Sequence, residues 1–174
     1  MTAPMTARQV PPAGQYALDP AGSSVTFVAR HMFGLAPARG TLAVTSGDLT
    51  ITDPAEGSRA RAEVSAASFS TRNVMRDPQV RSRLFLNARR HPAISFRTTS
   101  VRPSADGWTV SGTLTVKGKP APLDLTVTDI TTEGPTLVIR ASGTVDRYTH
   151  GVTMMRGMAA RHLSVEITAR ATRA

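Results

Sequence analysis

The chain has no cysteine. Its candidates for catalysis, metal binding or anion binding are therefore found chiefly among histidine and arginine. The absence of cysteine excludes disulfides, thiolate catalysis and cysteine-ligated zinc. No carboxylate is grouped with the histidines at a spacing typical of metal ligands, and the histidines themselves are dispersed: His31, His91, His150 and His162. The sequence has neither a glycine-rich phosphate loop nor a serine nucleophile elbow. We therefore expect no metal, no catalytic residues and no enzyme; a barrel enzyme would require His31 to meet Asp77 or Asp146.

The densest positive region lies between residues 72 and 90, where Asp77 is the only acid and six arginines occur: Arg72, Arg76, Arg81, Arg83, Arg89 and Arg90. Guanidinium groups bind phosphate through paired hydrogen bonds. This segment could therefore hold the pyrophosphate head of a ligand, contact an anionic membrane during ligand transfer, or form a solvated helix face. Asp77 followed by Pro78 predicts a helix N-cap, and an Arg76–Asp77 ion pair is the alternative.

The whole chain has a formal charge of +9, from 21 basic and 12 acidic residues. This charge suggests an alternative function, a basic surface module that binds nucleic acid or another anionic partner. Nucleic-acid readers usually interleave exposed aromatic residues with basic ones. Here Phe27, Phe96 and Trp108 fall on the predicted inner face of strands, and this pattern argues against nucleic acid.

The length of 174 residues is that of a single domain. We assign residues 1–14 to a disordered N-terminal tail and residues 15–174 to one β-barrel domain. The first residues lack the apolar middle region of a secretory signal peptide. No stretch approaches the ~20 apolar residues that a helix needs to cross a bilayer. These features predict a cytoplasmic protein.

Apolar residues alternate with polar ones along most of the chain, which is typical of strands with one buried face. About eight such strands, separated by short turns, predict an all-β fold that is either a sandwich or a closed barrel. Residues 71–90 shift toward a helical period and predict a short crossover helix. Residues 39–52 predict a strand or a bent pair with its kink near Gly47.

Many residues on the predicted inner face are small, as at Ala62 and Ala141. The interior of an eight-stranded barrel is just wide enough for side chains or for one ligand. Small inward residues therefore indicate either a ligand cavity or tight packing against the helix or phenylalanine side chains. Met154, Met155 and Met158 offer adaptable apolar surface for a loop at the barrel mouth, or they pack beneath that loop.

Several motifs occur in a fixed order along the chain. The stretch YALDPAGSSVTFVARH begins at Tyr16, and it is followed by SFSTRNVMRD from Ser68, HPAISF from His91, GTLTVKG from Gly112 and GTVDR from Gly143. In this order and spacing the motifs resemble the YceI-like family of polyisoprenoid-binding, lipocalin-like barrels. The resemblance implies an eight-stranded antiparallel barrel with an elongated interior that takes a long isoprenoid chain. It also implies no metal and no known catalytic residue.

The chain departs from the family pattern at Gly22, where a histidine is common, and at His150, where an aromatic residue is usual. The resemblance predicts binding, storage or transport of a polyprenyl chain or isoprenoid quinone, with no other cofactor. An edge-free barrel can also form a homodimer through outer apolar strips. The residues predicted to bind the ligand are Val25, Phe27, Ala29, His31, Val64, Arg76, Phe85, Ile94, Phe96, Trp108, Val110, Leu114, Leu123, Leu125, Ile139, Val145 and Val165.

Overall fold

The computed structural model describes residues 10–29, 37–105, 107–155 and 159–174, and these form mostly strands. The strands are β1 (Gly14–Leu18), β2 (Ser24–Ala29), β3 (Ala38–Leu42), β4 (Val44–Ile51), β5 (Arg59–Ser65), β6 (Ala93–Ser104), β7 (Gly107–Val116), β8 (Lys119–Glu133), β9 (Thr136–Asp146) and β10 (His162–Arg173). A short helix, α1 (Arg76–Arg81), lies between β5 and β6. Turns of 3₁₀ helix occur at Ala55–Gly57, Ala66–Ser68 and Arg147–His150.

The strands pair antiparallel and close into a barrel with eight strand positions. One edge of β10 pairs with β9, whereas its other edge pairs first with β2 and then with β1. β1 and β2 therefore occupy one position, and β3 and β4, which pair with β2 and β1, occupy the next. This arrangement confirms the predicted eight-stranded antiparallel barrel with a short helical crossover.

The hydrogen-bond register places the inward side chains of neighbouring strands next to each other. In the β9–β10 pair, Ala141 lies opposite Ile167 and Val145 lies opposite Leu163. Successive side chains point to opposite faces of a strand. The polar residues Thr144 and Ser164, which also lie opposite one another, are accordingly exposed on the outside.

The predicted bend between residues 39 and 52 is present, and the pairing of β4 with β5 shifts register between Val44 and Ser46, just before Gly47. Ala43 separates β3 from β4, and its carbonyl accepts a hydrogen bond from the amide of Ser65 (2.9 Å). Gly47 lies inside β4, where a Cβ atom would stand 2.6 Å from the carbonyl oxygen of Arg61. A side chain at residue 47 would therefore prevent the close approach of β4 and β5.

Two clusters of buried residues lie at the two ends of the barrel. One lies at the helical end, where α1 and the turn Arg147–His150 are found, and consists of Ala66, Phe85, Ala88, Ile94, Val116 and Val152. The other lies at the opposite end and consists of Tyr16, Leu49, Leu137 and Ala171. The Tyr16 hydroxyl donates to the carbonyl of Pro12 (2.7 Å), and Pro11 is buried. Pro11 and the backbone of Pro12, from the segment assigned to the tail, are therefore held against the end opposite α1.

Candidate functional site

Between the two clusters the barrel contains a cavity of about 440 Å³, which is within the usual range for ligand pockets. Phe85 and Ile94 line it at the helical end, and Leu49 lines it near the opposite end. The cavity therefore extends along the barrel. Its wall is predominantly apolar, as a binding site for a lipid chain requires.

Many inward side chains are only partly buried, although they are apolar and belong to the inner face. Trp108, Leu114 and Val165 all border the cavity in this way. In a close-packed protein core such side chains would be fully covered by their neighbours. Small inward residues such as Ala62 and Ala141 also border the cavity. Of the two interpretations of the small residues, the structure therefore favours open volume over a solid core.

The predicted ligand-binding residues collect around this cavity. His31 lies outside the described residues, and the other sixteen line the cavity wall: Val25, Phe27, Ala29, Val64, Arg76, Phe85, Ile94, Phe96, Trp108, Val110, Leu114, Leu123, Leu125, Ile139, Val145 and Val165. Arg76 and Phe85 come from the crossover segment and the remainder from the strands. That these side chains bind a ligand stays a prediction.

The prediction that Asp77 is the helix N-cap is wrong, because α1 begins one residue earlier, at Arg76. The side chain of Asn73 accepts hydrogen bonds from the first amides of this turn, those of Met75 (3.0 Å) and Arg76 (2.9 Å). Asp77 instead turns back to the preceding loop. Its buried carboxylate accepts from the amide and the hydroxyl of Thr71 and from the amide of Asn73 (3.3 Å).

Asp77 is buried as a charged group. Burial is the largest single influence and raises the pKa of its carboxyl. The hydrogen bonds from Thr71 and Asn73, together with the charge of Arg81, outweigh burial and hold that pKa below its ordinary value. The alternative Arg76–Asp77 ion pair is absent from the described part of the chain. Arg76 donates from Nε to the Thr71 hydroxyl (3.0 Å) and also borders the cavity.

Arg147 is a cavity residue that the sequence reasoning missed. It is only 8% exposed, although it is charged. Its guanidinium donates to the carbonyls of Ala160 (2.7 Å), Val152 (2.7 Å) and Ala159 (3.3 Å). Arg147 follows the inward Val145 by two residues, so strand parity extended beyond the end of β9 was the signal that could have found it.

His150 was noted in the sequence as a departure from the family pattern but was not assigned to the site. It is 2% exposed and lines the cavity at the helical end. Its Nδ1 atom lies 2.8 Å from the carbonyl oxygen of Lys119. It lies in the turn Arg147–His150 after β9, and the folding of that turn over the barrel end buries it.

The enzyme hypothesis gains no support from the described residues. They contain no group of three or more histidine, cysteine or acidic side chains that could hold a metal ion. Asp146 accepts hydrogen bonds from the guanidinium of Arg161 (2.8–3.1 Å) and the amide of Tyr148, and the Arg161 bond is the main reason that its pKa is lowered. Asp77 is engaged by the loop before α1, and the third partner, His31, lies outside the described residues.

The aromatic side chains predicted to point inward do so. Phe27 is buried and stacks on Phe69 with ring centroids 5.0 Å apart. Phe96 and Trp108 border the cavity. These three inward rings are therefore not available to stack on nucleic-acid bases.

One surface at the helical end combines exposed apolar side chains with arginine. Val74 and Met75 are 88% and 83% exposed, and Leu84, Met154 and Met155 are also exposed. Four exposed arginines lie in the crossover segment between β5 and β6. Within the described ranges they take part in no ion pair: Arg72, Arg83, Arg89 and Arg90. We call these nine residues the mouth face.

Over the described ranges, no helix is long and apolar enough to span a membrane.

A family model, the YceI-like domain, matches residues 16–172. Among curated proteins, a UPF0312 protein of Yersinia pestis (strain Pestoides F) is 29% identical over 117 residues, which are 65% of this chain and 60% of that protein. A UPF0312 protein of Yersinia enterocolitica is 37% identical over 62 residues, 36% of this chain and 32% of that protein. The matches thus span less than two thirds of the length of these relatives.

Solved structures share the fold at low sequence identity. BcnA of Burkholderia cenocepacia superposes with a TM-score of 0.78 and 22% identity, covering 89% of this chain and 99% of that one. A domain from Saccharophagus degradans, described as polyisoprenoid binding and implicated in plant cell wall breakdown, superposes with a TM-score of 0.64 and 15% identity, covering 91% and 98%. At this identity the two likenesses establish the fold alone.

Proposed function

Since this chain belongs to the YceI-like family, we propose that its barrel binds a long apolar molecule of the isoprenoid type, a polyprenyl chain or an isoprenoid quinone, and stores or transports it. The observation that carries the proposal is the predominantly apolar cavity that extends along the barrel between the two end clusters. The likeness to the Saccharophagus degradans domain, which is described as polyisoprenoid binding, supports the same ligand chemistry here. We propose a carrier and no catalytic step.

Hydrophobic burial supplies the binding free energy in this proposal. Each 100 Å² of prenyl surface removed from water contributes roughly 2.5 kcal/mol before the cost of association is subtracted. A prenyl chain that contacts both Phe85 and Leu49 lies along the length of the cavity. Selectivity then depends on chain length and on the few polar groups that border the cavity.

Native mass spectrometry of the purified protein, followed by organic extraction, tests the proposal directly. We expect one apolar molecule per chain, released by the solvent and identifiable from its mass. An empty protein that also fails to bind prenyl alcohols and quinones on titration would contradict the proposed function.

We further propose that ligand enters and leaves while the mouth face rests on an anionic membrane. Exposed apolar residues insert into the interfacial region of a bilayer, and arginines bind anionic headgroups beside them. The mouth face supplies both kinds of residue beside the helical end of the cavity. Asp77 is the one acid within the crossover segment and offsets only one of its six arginines, so the segment keeps a net positive charge.

The double substitution Arg89→Ala and Arg90→Ala is expected to weaken binding to phosphatidylglycerol-containing vesicles about tenfold or more. The reason is that each arginine near an anionic surface contributes about 1 kcal/mol. Vesicle flotation at low and high salt measures the effect, and high salt is expected to weaken wild-type binding as well.

The matched control is the pair Arg97→Ala and Arg140→Ala. It removes the same charge from exposed positions on strands β6 and β9, away from the mouth face. Equal losses in the two double variants would show that overall charge, and not this face, mediates the contact. That result would contradict the docking proposal and leave the ligand proposal intact.

A further inference from the structure

His150 places one nitrogen acceptor at the helical end of a predominantly apolar cavity. The turn Arg147–His150 carries it over the barrel end, and Gly151, with φ of 73°, ends that turn in the left-handed region. The imidazole is 2% exposed and borders the cavity. Two apolar members of the helical-end cluster, Val116 and Val152, line the same cavity.

The hydrogen bond to Lys119 determines which nitrogen of His150 carries the proton. A carbonyl oxygen only accepts hydrogen bonds, so Nδ1, 2.8 Å from the Lys119 oxygen, is the N–H donor. In the neutral ring Nε2 then carries the lone pair and is an acceptor.

Nε2 makes no hydrogen bond to any residue that the structure describes, nor is it sealed among protein atoms. Because the ring borders the cavity and Nδ1 faces the backbone, Nε2 is the nitrogen left for a bound molecule. An acceptor that faces a predominantly apolar cavity gains when a donor on the bound molecule reaches it.

We infer that Nε2 of His150 accepts a hydrogen bond from a hydroxyl group at the head of the bound isoprenoid. This inference rests on the proposed carrier function and narrows its ligand to hydroxyl-bearing heads, alcohols or quinols. Quinones, ethers and esters offer only acceptors and leave Nε2 unpaired. The Arg147 guanidinium, buried at the same end of the cavity, disfavours a cationic head.

The test compares two probes with the same prenyl chain, geranylgeraniol and its methyl ether. The protein contains one tryptophan, Trp108, which lines the cavity. The fluorescence of Trp108 therefore reports whether the cavity is occupied, without an added label. We expect the wild-type protein to bind the alcohol about tenfold more tightly than the ether, because the ether cannot donate to Nε2.

Two substitutions separate the two ring nitrogens. His150→Asn can keep a donor near the position of Nδ1 but has no atom that reaches the position of Nε2, whereas His150→Gln reaches the position of Nε2. We expect His150→Asn to weaken alcohol binding about tenfold, to the level of the ether, and His150→Gln to retain part of the preference. His91→Asn is the control, because His91 is half-buried outside the cavity wall.

A nitrogen-15 spectrum of wild-type protein avoids dependence on variants that fold poorly. The Nε2 resonance of His150 is expected to shift on adding the alcohol and to stay in place with the ether. Equal affinities for the two probes, or a preference that survives in His150→Asn, would overturn this inference alone. Failure of wild-type protein to bind both probes and an isoprenoid quinone would overturn the carrier function and this inference with it.

Discussion

Replacing Ala141 with tryptophan is expected to lower affinity for geranylgeraniol about a hundredfold or more, equivalent to roughly 2.8 kcal/mol, while the barrel stays folded. Ala141 lies on β9 opposite Val127 of β8 and Ile167 of β10. All three residues border the cavity, and Ala141 is only partly buried. An indole at residue 141 therefore projects into open volume and occupies the space that the prenyl chain needs.

The same substitution is expected to leave thermal stability unchanged or raise it slightly. Filling an open apolar cavity adds packing contacts without forcing neighbours apart. Overpacking of a solid core would have the opposite effect and destabilise the barrel by about 1–3 kcal/mol. Thermal unfolding of Ala141→Trp thus distinguishes open volume from a solid interior, independently of any ligand.

The control is Ser142→Trp, which introduces the same side chain one residue later on the same strand. Ser142 lies opposite Thr126 and Glu166, outside the cavity wall. Equilibrium dialysis with labelled geranylgeraniol measures binding in both variants. Normal binding by Ala141→Trp, or equal loss in both variants, would show that the barrel interior is not the ligand site.

Strand parity is the reason that the cavity wall was predictable from sequence. In β9 the apolar residues Ile139 and Val145 share a face with Ala141, and this pattern alone determines which side chains point inward once the sheet closes. The pattern does not reveal how much volume remains inside. That volume depends on how eight strand positions pack together, and alternation in a single strand carries no information about it.

The residues that sequence reasoning misplaced are those whose environment comes from distant parts of the chain. Arg147 is buried because the carbonyls of Ala159 and Ala160, more than ten residues later, accept its hydrogen bonds. Local propensity correctly favoured a helix in this segment but placed its start at the wrong residue. Thr71 and Asn73 engage the Asp77 carboxylate, and the Asn73 side chain accepts from the amide of Arg76 at the start of the helix.

Substituting Asp77 with alanine is expected to destabilise the protein by about 3 kcal/mol, the largest effect that we expect from a single polar side chain. Its carboxylate accepts hydrogen bonds from the amides of Thr71 and Asn73 and from the Thr71 hydroxyl, and it is 5% exposed. Hydrogen bonds to a buried charge are worth more than neutral ones, and their loss leaves donors unsatisfied. Urea denaturation measures the change in the free energy of unfolding.

The pH dependence of stability identifies the charge of Asp77 as the cause. Because the pKa of its carboxyl is lower in the folded protein than its ordinary value of 3.8, the unfolded chain binds more protons as the solution is acidified. The stabilisation is therefore fully present above about pH 4 and is lost as the pH falls through the folded-state pKa. Asp77→Asn is expected to be less stable at neutral pH and to lose this part of the acid dependence.

Asp48→Asn provides the comparison, because Asp48 is an acid whose carboxylate is engaged at an exposed site, by a cation. Its carboxylate lies 2.8 Å from the Arg61 guanidinium, but both side chains are more than half exposed. An exposed ion pair contributes about 0–1 kcal/mol, so Asp48→Asn is expected to change stability little. Similar losses in Asp48→Asn and Asp77→Asn would mean that burial adds nothing to the Asp77 contacts. In that case the loop before α1 would not depend on this carboxylate to hold the crossover segment over the barrel end.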